Sequence, residues 1–96
     1  MTAYVISEVE PRDAALFARY RDLAAASIAP YGGRYIVRGG AAELLEGAPA
    51  VKTLVIVEFP DMARAKQWYA SAEYAPALAI RRAGALERRL VFVEGV

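Results

Sequence analysis

Residues 51–59, VKTLVIVEF, decide the fold by failing to alternate. Their β-branched and aromatic content reads as a strand, and Pro60 closes it. Successive strand side chains point to opposite faces, so one row is Thr53, Val55, Val57 and Phe59 and the other is Leu54, Ile56 and Glu58. An antiparallel strand with one wet face alternates apolar with polar, and here both rows are apolar. Residues 3–9, AYVISEV, split in the same way into Val5 and Val9 against Tyr4, Ile6 and Glu8. Residues 87–94, ERRLVFVE, split into Val91 and Val93 against Leu90, Phe92 and Glu94. A sheet of such strands needs cover on both faces.

Between the strands lie helices. From Asp13, a plausible N-cap, the residues Leu16, Phe17, Tyr20, Leu23, Ala24, Ser27, Ile28 and Tyr31 recur at helical spacing, and Pro30 with Gly32-Gly33 supplies the stop. Residues 34–38, RYIVR, read as a short strand ended by Gly39-Gly40, with Leu44-Leu45-Glu46-Gly47 a candidate extension of a hairpin arm. Asp61 caps a helix carrying Ala65, Trp68 and Tyr69. Ser71 caps a further helical segment over residues 72–85, with Pro76 tolerated in its first turns.

The order β-α-β-β-α-β is the ferredoxin-like plan, an α+β fold with both helices on one face of a four-stranded antiparallel sheet. A face of Leu, Ile, Phe and Tyr is left bare, larger than monomers usually expose. The simplest cover is a second copy, a homodimer packed sheet to sheet over about 2,000 Å² or more.

The 96 residues are 57% hydrophobic and 24% charged, the balance of one globular domain over residues 1–96. With no cysteine there is no disulfide framework, zinc-thiolate or iron-sulfur site, and no thiol catalysis. With no histidine the usual general base and commonest metal ligand are missing too. A net charge of +1 leaves no footprint for nucleic acid or an anionic membrane, and neither partner is expected. No apolar run reaches the length of a membrane helix and the N-terminus carries no leader pattern, so the expected address is cytoplasmic. No cofactor or metal is expected: Gly32, Gly33, Gly39 and Gly40 flank a strand rather than forming a nucleotide loop, and Glu43 with Glu46 matches no calcium loop.

YGGRYIVRGG (31–40), LLEG (44–47), VIVEFPDMARAKQWYASAEY (55–74) and IRRAGA (80–85) together resemble the family called domain of unknown function 1330, over nearly the whole chain. The resemblance implies the dimeric α/β-barrel superfamily. Its members include cofactor-independent monooxygenases, haem-degrading enzymes, dechlorinases, muconolactone-type isomerases and stress-responsive barrels, so fold alone decides no activity. The haem-degrading branch uses an axial histidine, which this chain lacks.

Arg34, Ile36 and Arg38 are read as sharing one strand face, with Glu58 at the end of the adjacent row. Two readings stay open. Arg38 and Glu58 either meet as a cross-strand or intersubunit ion pair, or act together on a small molecule, Arg38 binding an anionic oxygen and Glu58 moving a proton. Ser27, Tyr31, Trp68, Tyr69, Tyr74 and Arg81 are candidates to line a pocket between helices and sheet; aromatics at such spacing, Tyr20 among them, serve equally as core. Ser71 has no base beside it and reads as a cap, while Arg82, Arg88 and Arg89 read as solvated surface. The expected ligand is a small apolar or aromatic anion, with a cofactor-free enzyme or a purely structural homodimer as alternatives.

Overall fold

In β1 (Ala3–Pro11) the alternate residues Ala3, Val5, Ser7 and Val9 are buried, and this strand pairs on both sides. The computed structural model describes residues 1–50 and 52–96, so Val51, the first residue of the strand read over 51–59, lies outside the described residues. After β1 come α1 (Ala14–Ile28), a 3₁₀ turn (Ala29–Tyr31), β2 (Arg34–Arg38), β3 (Thr53–Phe59), α2 (Met62–Tyr69), α3 (Ala75–Ile80), a π-helical turn (Arg81–Ala85) and β4 (Leu86–Glu94). The sheet order is β2-β3-β1-β4, antiparallel throughout, which is the expected ferredoxin-like arrangement.

Local chemistry sets these bounds. The Asp13 carboxylate accepts the Leu16 N–H at 2.9 Å and that of Asp61 accepts the Arg64 N–H at 2.8 Å, so both read caps are formed. Ser71 Oγ accepts the Tyr74 N–H at 3.1 Å, but α3 starts only at Ala75 and gives way to the wider turn, where Gly84 sits at φ 102. One continuous helix over 72–85 is therefore corrected to a short helix between two turns. The Leu44–Gly47 hairpin arm is not formed either. Gly39, at φ 72, donates its N–H to the Leu54 carbonyl and ends the pairing there, leaving residues 39–50 exposed.

The register assigns each face. Val5 stands between Val57 and Phe92, Ser7 between Val55 and Leu90, and Val9 between Thr53 and Arg88. This is the face under the helices, where Phe59, Trp68 and Tyr74 build the aromatic core with the Trp68 and Tyr74 centroids 4.3 Å apart. The opposite face carries Ile6 between Ile56 and Val91, and Tyr4 between Glu58 and Val93. Leu90 and Phe92 thus lie under the helices, and Val91 and Val93 are the exposed pair, a correction that follows from the parity of the β1–β4 register. Among the described residues no helix is long and apolar enough to cross a membrane.

Candidate ligand-binding site

A single irregularity in β2 governs the site. Arg34 pairs with Glu58 and Tyr35 with Val57, but Val37 pairs with Ile56 and Arg38 with Val55, so the register slips at Ile36. A bulge of this kind adds one residue and reverses the facing of the residues beyond it. Tyr35 and Arg38 consequently share the helix-side face, and Arg34 stands on the open face. Arg34, Ile36 and Arg38 therefore do not share one row, contrary to simple alternation. Glu58 faces Arg34, with Nη2 to Oε2 at 3.5 Å, and lies across the sheet from Arg38. The Arg38–Glu58 pair, as ion pair or as catalytic couple, is not assembled within the chain.

A cavity of about 250 Å³ opens between α1 and the helix-side face. Phe17, Tyr20, Arg21, Ala24 and Ile28 of α1 form its roof, and Ser7, Val9, Val55 and Val57 its floor. Tyr35 and Arg38 line one side, Arg88 and Leu90 the other, and Trp68 one end. Among the described residues its lining holds three guanidinium groups and no carboxylate. Among the described residues, Arg21, Arg38 and Arg88 form no ion pair; the pairs are Arg12 with Glu10 and Glu87, Lys52 with Glu10, and Arg34 with Glu58.

Aromatic faces hold the guanidiniums instead. Arg38 lies 4.4 Å above the Tyr35 ring and Arg21 5.2 Å above Phe17. Arg88 donates to the Tyr20 hydroxyl and lies 5.6 and 5.9 Å from the Tyr20 and Tyr74 centroids. The Tyr20 and Tyr74 hydroxyls are 2.7 Å apart, so the guanidinium is tied through one phenol to a second at the centre of the core. Burial pushes the Tyr74 phenol well above its ordinary pKa, with Tyr20 adding to the rise and Arg88 partly offsetting it. Burial also raises Tyr35, again partly offset by its arginine.

The residues read from sequence are distributed unevenly around this cavity. Arg38 and Trp68 line it. Ser27, 1% exposed, stands behind Trp68: its hydroxyl accepts the indole N–H at 2.9 Å and donates to the Ala24 carbonyl at 2.6 Å. Tyr74 lies behind Tyr20, and Tyr69 packs edge-on against Phe92. Tyr31 is turned away, donating to Glu73 Oε2 at 2.7 Å; that bond raises the pKa of Tyr31 and lowers that of Glu73. Arg81 is half-buried, its Nε without a partner, and is not part of the lining. Arg88, read as solvated, is the residue missed, although it has the parity of Leu90 and Phe92, which the alternation of β4 displays. No group of three or more metal-ligating His, Cys, Asp or Glu side chains occurs among the described residues.

Comparison with proteins of curated function finds no match. Among solved structures, the chain is similar to a protein of unknown function from Rhodopseudomonas palustris, with TM-score 0.78 and 18% identity over 99% of this chain and 82% of that one. SnoaB, a cofactor-independent oxygenase from Streptomyces nogalater, superposes with TM-score 0.69 and 16% identity over 99% and 93% of the two chains. A dimeric ferredoxin-like protein of unknown function from Jannaschia sp. CCS1 gives TM-score 0.67 and 14% identity over 99% and 100%. Identities this low speak for the fold alone. The model of a family described as "Domain of unknown function (DUF1330)" matches residues 2–96, nearly the full length, and the chain belongs to that family.

Proposed function

We propose that this protein binds a small apolar or aromatic anionic metabolite in the cavity beneath α1 and works as a homodimer joined through the open faces of its sheets. The observation that carries the binding reading is a lining with three guanidiniums and no carboxylate. An unpaired cation beside apolar walls is costly, and an anion that accepts its hydrogen bonds offsets that cost. Valine, leucine, phenylalanine and tryptophan around it favour an apolar or aromatic body. The dimer is supported by Val91 and Val93, which are 48% and 40% exposed on the open face.

The test is isothermal calorimetry with simple aromatic carboxylates. Arg38 is exposed and forms no ion pair, so Arg38→Gln is expected to leave the fold intact and to weaken binding about tenfold, the worth of one charge-assisted hydrogen bond. Unchanged affinity removes Arg38 from the site. A second reading, cofactor-independent catalysis, is supported by the likeness to SnoaB. With Glu58 on the far face, the ionisable groups left at the cavity are the Tyr20 and Tyr35 phenols and the arginines. Dioxygen uptake or product formation that accompanies binding would favour it.

A further inference from the structure

We infer that the cavity is built for a ligand with two anionic groups at opposite ends of a flat apolar body, which Arg38 and Arg88 grip from the two edges of the sheet. This rests on the anion-binding reading above and narrows it. The strand order puts Arg38 on one edge strand, β2, and Arg88 on the other, β4. Three interstrand spacings separate them, about 14 Å between backbones. Both side chains line the same cavity, and the floor between them is largely valine, with two hydroxyls, those of Thr53 and of Ser7, the latter directed to the Val55 carbonyl at 3.5 Å.

Charge balance separates one anionic group from two. Two cations that line one cavity, Arg88 half-buried and Arg38 exposed at its mouth, repel each other, and among the described residues neither has a carboxylate partner to offset it. A monoanion matches one and leaves the other without a counter-charge; a dianion with its charges far apart matches both. Each guanidinium has the donors to do so. Arg88 gives the Tyr20 hydroxyl one of its five N–H groups, and Arg38 meets only the face of Tyr35. Arg21 stands in the roof on α1, over the Phe17 ring, and at neither edge of the sheet.

Calorimetry with benzoate, phthalate and terephthalate at one ionic strength tests this. Phthalate carries the same charge as terephthalate with its carboxylates adjacent, so it separates reach from general attraction. Terephthalate is expected to bind at least tenfold more tightly than either of the others, and Arg38→Gln to reduce it to the affinity of benzoate. Arg88→Gln should do the same; because Arg88 also supports Tyr20, the comparison of the three ligands on the unaltered protein and on the Arg38 variant decides if the Arg88 variant does not fold. Benzoate or phthalate binding as tightly as terephthalate overturns the two-ended site while leaving an anion pocket. No binding of any of the three overturns both.

Discussion

Ser27 is small, yet the indole of Trp68 depends on it. Trp68 is 3% exposed and gives its indole N–H to the serine hydroxyl, so Ser27→Ala leaves a buried donor with no acceptor. The expected loss is about 1–3 kcal/mol of folding free energy, read from urea denaturation at fixed protein concentration. Ser27→Thr, which retains the hydroxyl, should lose less. Tyr74 makes its contribution at high pH. In an unfolded chain its phenol ionises near pH 10, whereas burial holds it neutral to higher pH in the fold. The folded state therefore binds this proton more tightly: the stabilisation is complete below about pH 10 and drains away as the pH rises beyond it. Urea midpoints measured from pH 8 to 11 should fall at the alkaline end, and Tyr74→Phe should flatten that fall. At this scale the sequence was legible where a side chain had one local demand, as with Ser71, read as a cap, whose hydroxyl accepts the Tyr74 N–H. It was opaque for Arg88, because Arg88 and Arg89 directly after Glu87 look like a wet surface until strand parity sorts them.

Among the elements, the join between α1 and β2 is the least tolerant of change. A methyl group on Gly33 would come within 2.6 Å of the Phe59 ring and 2.7 Å of the Ile28 side chain, both buried in the core. Gly33→Ala should cost about 1–3 kcal/mol through overpacking. Gly40→Ala, with nothing within 4 Å of the added carbon, should stay within about 0.5 kcal/mol, and thermal denaturation of the two variants side by side checks the contrast. The strands and caps could be read directly, since Asp13, Asp61, Pro60 and the valine-rich runs are local signals. The bulge at Ile36 could not be read, because RYIVR alternates cleanly by itself and the slip exists only relative to β3. The same limit produced the hairpin arm at Leu44–Gly47: apolar leucines suggest pairing, but no strand edge meets them once Gly39 has turned away.

For the whole molecule, the open sheet face is the feature that double-sided hydrophobicity announced. If two copies close it, Ile56, which faces Ile6 and Val37 at its centre, is where a charge does most harm. Sedimentation velocity should find the parent chain paired at micromolar concentration and Ile56→Asp as single subunits; a parent that sediments as one subunit removes the dimer. Helix-side placement was less legible than the need for cover, because both rows of β4 are greasy and only pairing with β1 tells them apart. The slip at Ile36 has a consequence for descent. Because of it, the two arginines of one five-residue strand stand on opposite sides of the sheet, Arg34 on the outer surface and Arg38 at the cavity, and under the proposed function they would answer to different selective pressures. Drift that straightened the pairing while keeping every residue would set Arg38 against Leu54 and place both under the first pressure. Loss of the Ile36 codon, by contrast, would keep Arg38 opposite Val55, so that a surface for pairing and a site for a ligand, as proposed, could evolve apart.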